Sequence, residues 1–375
     1  LADPETAGDL SELSAALRRE GHKQLPMLLL GGSASEDSPS LPVNCTDVEL
    51  FSRLDSLVRL NTMQEELNRR SATAEKFGVT VPSVVLPPTI ADAQVLVLCD
   101  QGPVSSALAA ALAGIAKVTL VEDTFTAIER LIAGNFDTVI VAAESALARQ
   151  LCSDIRVNSR LYNTPVLVIA EPVREMAEAI YSSGANEVMQ QPWAAADLAS
   201  RAGALVRQHR YRLQMQRIYR EGRHLATSDN LTGLYNHGFL HEHLAQQILA
   251  ARQGGKSLTV GALDIQRLSR INREQGYAAG DRLLRQVGSL IGNLVRGEDL
   301  TARWGGGTFC IVLPDTAPEV AFFALHRIAG VVDHTEFALL EPTQAVSVRL
   351  KVGAAGLYAG DGAETLIARA FAAMA

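Results

Sequence analysis

The chain has 375 residues, 47% of them hydrophobic and 20% charged, with a formal net charge of −7 at pH 7. That composition excludes a disordered chain and fits two or three globular domains. The apolar runs, such as Pro26 to Leu30 and Val139 to Ala143, fall far short of the roughly 18 residues of a spanning helix, so no membrane insertion is expected. Mild acidity argues against nucleic acid as a partner, while leaving room for a local arginine cluster around a small nucleotide. Cys45, Cys99, Cys152 and Cys310 are widely spaced with no CxxC pair, which reads as reduced, cytoplasmic core residues. The opening Leu1-Ala2-Asp3-Pro4 has no basic or apolar signal region, so the chain is expected to enter midway through a domain.

The first segment predicts a helix Leu10 to Glu20, a strand Pro26 to Leu30, a Gly/Ser/Pro loop and a long helix Asp47 to Arg69. From Gln94 onward short apolar runs alternate with amphipathic stretches. Predicted strands are Val95 to Cys99, Lys117 to Val121, Thr138 to Ala142, Val166 to Ala170 and Glu187 to Met189. Predicted helices cover Ser105 to Leu112, Phe125 to Ile132, Ala148 to Ile155 and Val173 to Ser182. Such βα units make an α/β fold with a parallel sheet covered on both faces. The first segment repeats the end of this pattern, as a copy lacking its front half. Ala195 to Ala226 predicts a continuous helix. It reads either as the last helix of the preceding domain or as a coiled-coil-like dimer contact, although Leu213, Ile218 and Leu225 keep no strict heptad. After it come a strand, two helices, a hairpin, a helix, a strand and a helix, a mixed α+β domain. The expected boundaries are 1–75 and a linker 76–93, then 94–210, a helical linker 211–227 and 228–375.

Asp229-Asn230-Leu231-Thr232-Gly233-Leu234-Tyr235-Asn236, then Leu263-Asp264-Ile265 with Asn272 and Asp281, then Arg303-Trp304-Gly305-Gly306-Gly307-Thr308-Phe309 resemble the motifs of the GGDEF family, the diguanylate cyclases. The resemblance runs from Ser228 to the C-terminus. Beside it, the two upstream segments look like receiver domains of flavodoxin-like fold, the tandem layout of bacterial two-component signalling. The resemblance implies a dimer that condenses two GTP molecules, with two metal ions held by one carboxylate on the first strand and another on the signature hairpin. Magnesium on a triphosphate wants such oxygens. Asp264 supplies the first. The signature, however, reads Gly305-Gly306-Gly307-Thr308-Phe309, without charge at either acidic place, and the family's phosphate-contacting Lys position is Ser269. Catalysis is therefore expected to be lost, with no catalytic residue, no bound metal and no resident cofactor. Asn272 and Asp281 match guanine-reading positions and, with Asp264, form a vestigial GTP site; alternatively Asn272 is a helix-end residue and Asp281 an N-cap before Leu283 to Leu294.

Arg296-Gly297-Glu298-Asp299 matches the family's inhibitory RxxD motif, which binds the product cyclic di-GMP, and Arg327 matches a further arginine of that site. A guanidinium fork suits guanine O6 and N7 or a phosphate, and a carboxylate accepts from guanine N–H groups. Arg252 is a weaker candidate for a second arginine contact from a neighbouring domain. In the second receiver copy Asp100 survives from the acidic pair, but Ala142 stands at the phosphoacceptor place, Ala170 at the Ser/Thr place and Gln191 at the Lys place. In the first copy Gly31 and Leu41 hold the last two places, and the acceptor would precede Leu1 if Pro4 is its usual following proline. With Ala142 at the acceptor place, the second copy cannot be phosphorylated in the usual way. The receivers are therefore expected to be dimerisation or docking platforms, with Asp47 to Arg69 and Ala195 to Arg210 as contact faces.

His241-Glu242-His243 reads as a solvated face, since residues two apart on a helix point to different sides. Trp193 and the pair Phe322-Phe323 read as packing residues, and Gly305-Gly306-Gly307 as a hairpin turn. By resemblance the chain is a cytoplasmic cyclic di-GMP effector and homodimer with a protein partner, such as a proteolysis adaptor or a polar factor, in cell-cycle control. Two other functions stay open: a divergent cyclase drawing its second carboxylate from Glu298 or Asp315, and a scaffold that binds no nucleotide.

Overall fold

The computed structural model describes residues 28–30, 40–41, 45, 47–79, 90–158, 160–171, 174–221, 226–339 and 345–374. The expected helix Leu10 to Glu20, the start of the strand Pro26 to Leu30, Pro4 and Gly31 lie outside them. The chain divides into two compact units, Leu1–Gln64 with Val85–Tyr211, and Glu65–Val84 with Arg212–Ala375.

In the first unit, β1 (Leu29–Leu30) pairs in parallel with β2 (Ser40–Leu41). Helix α1 (Asp47–Lys76) begins with Asp47 and Glu49 and ends with Lys76, charges that complement the helix dipole. Its residues up to Gln64 belong to this unit. There the buried Arg53 bonds the buried Glu187, which also faces Arg201 at 3.8 Å. The βα series follows as β3 (Ala93–Cys99), α2 (Pro103–Leu112), β4 (Ala116–Val121), α3 (Thr124–Ala133), β5 (Thr138–Ala142), α4 (Ser145–Val157), β6 (Val166–Ala170), α5 (Arg174–Ser182), β7 (Glu187–Gln190) and α6 (Ala195–Glu221), whose residues up to Tyr211 belong to this unit. The five strands form one parallel sheet in the order β4-β3-β5-β6-β7, with each strand end set where the sequence pattern places it to within a few residues.

Alternate strand residues explain why both faces are covered. Leu96, Leu98, Val139 and Val141 meet Leu131 of α3, Leu151 of α4 and Ile180 of α5. Val95, Val97 and Ile140 meet Leu108 and Leu112 of α2 and Leu198, Ala202 and Leu205 of α6. The first part of α6 is thus the packed last helix of this unit, while Leu213 further along is exposed. Trp193 packs against the second of these clusters.

The second unit takes Glu65–Val84 together with α7 (His237–Gly254), β8 (Leu258–Ile265), α8 (Leu268–Gln275), α9 (Tyr277–Leu294), β9 (Leu300–Gly305), β10 (Thr308–Pro314), α10 (Pro318–Asp333), β11 (Phe337–Ala338), β12 (Ala345–Val346), β13 (Leu350–Gly356) and α11 (Ala363–Ala372). Strands β13-β8-β10-β9 form an antiparallel sheet. Asn236 caps α7 by accepting from the Phe239 amide at 2.9 Å. Tyr235, Phe239, Leu244 and Ile248 then pack with Val260, Leu300 and Leu366 in one core.

Three expectations are corrected. Helix α9 starts at Tyr277 after Gly276 at φ 87°, so Asp281 lies inside the helix and is not its N-cap. Phe322 and Phe323 are exposed, not packing residues. His243, expected on a solvated face, is fully buried.

Candidate functional site

The signature hairpin is shaped by its glycines. Gly305 and Gly306 have φ of 153° and 55°, conformations that side chains resist, and Thr308 pairs with Gly305 across the turn. Arg303 clamps this turn: Nη2 donates to the Gly306 carbonyl at 2.9 Å and Nη1 to the Asp229 carboxylate at 3.1 Å. Asp229 also accepts from the Thr232 amide at 2.8 Å and hydroxyl at 2.7 Å. Burial pushes the Asp229 carboxyl up, but the Thr232 bonds and Arg303 outweigh it and hold it below its ordinary value. The Asp229–Thr232 motif is therefore a brace for the hairpin.

Asp264 sits on β8 opposite Thr308 of β10 and Lys351 of β13. The Thr308 hydroxyl donates to Asp264 Oδ1 at 2.7 Å. A hydroxyl therefore stands where the resemblance wants a second acid. This donor set does not fit a pair of metal ions, and among the described residues no group of three His, Cys, Asp or Glu side chains gathers that could hold one. Glu298 precedes β9 and Asp315 follows β10, so both lie at the end of the sheet away from the hairpin. Asp315 pairs with Lys256 at 2.8 Å. Neither carboxylate is beside Asp264. Asn272 and Asp281 lie on α8 and α9, which pack together. The Asn272 amide covers Gly280, where an added Cβ would lie 1.8 Å from Oδ1, and that buried oxygen has no hydrogen-bond partner among the described residues. A cleft of about 530 Å3 opens between Arg267, Arg270, Asp333 and Arg349, and none of the expected site residues lines it.

The Arg296–Asp299 turn is built at the other end of β9. The Asp299 amide donates to the Arg296 carbonyl at 3.3 Å, and the Asp299 carboxylate accepts from the Arg296 amide at 2.7 Å. Asp299 is buried while the Arg296 side chain is exposed. Arg327 of α10 donates to the Leu294 carbonyl at 2.9 Å, meeting one of the orphan acceptors at the end of α9. The three expected residues are thus gathered in one place. Arg252 is elsewhere, donating to the carbonyls of Ala359 at 2.8 Å and Asp361 at 2.6 Å.

Behind the turn lies a network that sequence reasoning missed. Arg70 Nη2 donates to the carbonyls of Glu298 and Asp299, both at 2.9 Å, and Arg70 Nε donates to Glu66 at 2.6 Å. Glu66 faces His243 Nε2 at 2.9 Å, and His243 Nδ1 faces the Thr73 hydroxyl oxygen at 3.2 Å. Gln247 donates to the other Glu66 oxygen. Burial pushes the Glu66 carboxyl up, but His243, Arg70 and Arg69 overcome it and hold it at about 2.

In the first unit, Asp100, Ala142, Ala170 and Gln191 all fall at or just past the C-terminal ends of β3, β5, β6 and β7, the edge where open α/β sheets bind ligands. Cys99 pairs with Ala142, and the Gln191 amide donates to the Ala170 carbonyl at 3.0 Å. Only Asp100 among these four carries a charge.

Residues 226–375 match the family model described as "Diguanylate cyclase, GGDEF domain". The response regulator PleD of Caulobacter vibrioides is 27% identical over 343 residues, covering 90% of this chain and 74% of PleD. The probable diguanylate cyclase DgcJ of Escherichia coli is 35% identical over 130 residues, 35% of this chain and 25% of DgcJ. Among solved structures, the GGDEF domain of DgcB from Caulobacter crescentus, in complex with c-di-GMP, is 27% identical with a TM-score of 0.39, covering 40% of this chain and 90% of that one. The C-terminal part of the chain is a GGDEF domain of the diguanylate cyclase family. The protein as a whole is related to PleD, with a receiver-like region ahead of that domain. Among the described residues no helix is long and apolar enough to cross a membrane.

Proposed function

We propose that this protein is a catalytically silent effector that binds cyclic di-GMP at the Arg296–Asp299 turn and passes its state to a protein partner. The observation that carries the reading is an asymmetry between the two ends of β9. At one end the RxxD turn is closed on itself, with Arg296 exposed beside it and Arg327 close by. At the other, Asp264 meets a threonine hydroxyl in place of a second carboxylate. Cyclic di-GMP would lay guanine edges on the guanidinium forks and give its N–H groups to Asp299. The combination resembles the non-catalytic tandem receiver and GGDEF effector PopA, which would imply cell-cycle control, recruitment to a cell pole and delivery of substrates to a protease. The segment 1–75 reads as half of a first receiver, 94–210 as a second that cannot be phosphorylated at Ala142, and 228–375 as the degenerate GGDEF domain.

Calorimetric titration of cyclic di-GMP into the protein and into Arg296→Ala tests this, with GTP plus magnesium as the comparison ligand. Tight binding lost in the variant is expected. No binding by either protein leaves the scaffold, and turnover of GTP above an Asp264→Ala control overturns the silent reading. GTP binding without turnover would instead point to the buried Asn272 oxygen, without a partner among the described residues, as part of a retained guanine pocket.

The homodimer has a candidate surface on the first half of α1. Phe51, Leu54 and Val58 are 65%, 39% and 50% exposed, and their i, i+3, i+7 spacing puts them on one stripe. Leu54→Glu with Val58→Glu is expected to halve the mass seen by light scattering, and an unchanged mass would remove this helix from the interface.

A further inference from the structure

Resting on the effector reading, we propose that Arg70 is a positioning residue for the cyclic di-GMP turn, and that ligand binding is linked through it to residues 65–76 of α1.

The case begins with the peptide plane. In a trans peptide the C=O and the following N–H point in opposite directions. The Glu298 carbonyl and the Asp299 amide share one such plane. Holding that carbonyl on Arg70 at 2.9 Å therefore aims the Asp299 amide the other way, at the Arg296 carbonyl, the bond that closes the turn. The second Arg70 contact, to the Asp299 carbonyl, fixes the next plane. Between them lies the Asp299 Cα, whose carboxylate in turn accepts from the Arg296 amide. A guanidinium is suited to this work because its donors are coplanar and always charged. Arg70 is itself fixed, since it is 4% exposed and its Nε is on Glu66, which His243 and Gln247 hold from α7. The turn is thus shaped from behind by groups that never reach the ligand face.

Linkage gives this arrangement a consequence. If docked residues 65–76 favour the binding-competent turn, then bound ligand must favour the docked segment by the same factor. Arg69 provides the control. It lies on the same helix and faces the same carboxylate through its other oxygen, Glu66 Oε2 at 3.4 Å where Arg70 bonds Oε1, yet the carbonyls of the turn accept from Arg70.

The experiment uses the full chain carrying Arg70→Gln, Arg70→Lys or Arg69→Gln, with two readouts. Calorimetry with cyclic di-GMP is expected to show at least a tenfold loss for Arg70→Gln, a smaller loss for Arg70→Lys and less than a twofold change for Arg69→Gln. Hydrogen exchange without ligand is expected to speed up at least tenfold at the Arg296 and Asp299 amides in Arg70→Gln, with the β8 and β10 amides unchanged. Added cyclic di-GMP is expected to slow exchange at residues 65–76 in the wild type. Unchanged exchange at the turn in Arg70→Gln overturns the positioning role, whatever the ligand does. Wild-type binding with Arg70→Gln within twofold of it overturns the link to the ligand. No binding by the wild type sinks the effector reading and the ligand link with it, and the exchange at the turn then decides the positioning role alone. Faster exchange across the whole sheet would mean general loosening and also count against the proposal.

Discussion

Replacing Glu66 by Gln is expected to destabilise the second unit by roughly 3–5 kcal/mol, the usual cost of removing one partner from a buried ion pair. Gln keeps the shape and some of the hydrogen bonds but leaves Arg70 without its buried counter-charge. Two tryptophans allow the measurement, because Trp193 packs in the first unit and Trp304 in the second. In a Trp193→Phe background, urea unfolding followed by Trp304 fluorescence reports on the second unit. The pH dependence has a definite sign. The folded-state value of Glu66 is held at about 2, below its ordinary value of 4.5. Its contribution is therefore fully present above the unfolded value and fades as pH falls from about 4.5 towards 2. Wild type should lose stability over that window more steeply than Glu66→Gln. Equal midpoints at neutral pH together with parallel acid limbs would refute the network's energetic role.

A second large effect is expected at Asp299, whose carboxylate holds the turn and is proposed to read the ligand. Asp299→Ala removes both, and cyclic di-GMP binding is expected to weaken by roughly a hundredfold or more, given about 1.5–3 kcal/mol for each charged hydrogen bond lost. Asp299→Asn separates the two roles. Its amide oxygen can still accept from the Arg296 amide, so the thermal midpoint should stay near that of wild type while affinity falls. Calorimetry and melting on the same samples decide it. Affinity for Asp299→Asn within threefold of wild type would mean that the carboxylate serves the turn alone.

The first unit was legible because its strands are short apolar runs buried on both faces, such as Val139 to Ala142, which local pattern finds. The pair of strands Leu29–Leu30 and Ser40–Leu41 was only half found, since Ser40 lies in a stretch whose composition reads as loop. In the second unit the motif glycines fixed the hairpin, and the RxxD turn could be read in register from them. What escaped was the buried side of α7. His243 and Gln247 are polar, so periodicity assigns them to solvent; they are buried because Glu66 meets them from 177 and 181 positions away. No local window contains that partner. Likewise the contacts from Arg70 to the turn join residues 228 and 229 apart. Asp281 was misplaced for a smaller reason: Gly276 at φ 87° opens the helix a turn earlier than the first apolar residues suggest.

The division of the second unit into Glu65–Val84 and Arg212–Ala375 bears on how the chain is made. Synthesis runs from the N-terminus at about 5–20 residues per second, so the first piece emerges on the order of ten seconds before the remainder. Over that interval Glu66 and Arg70 are solvated on a helix whose seat does not yet exist. Completion of the C-terminal domain is then also the step that dehydrates them. A ribosome pause in the intervening stretch lengthens the wait, and a chain released before α7 is finished carries an orphaned helix for quality control to recognise.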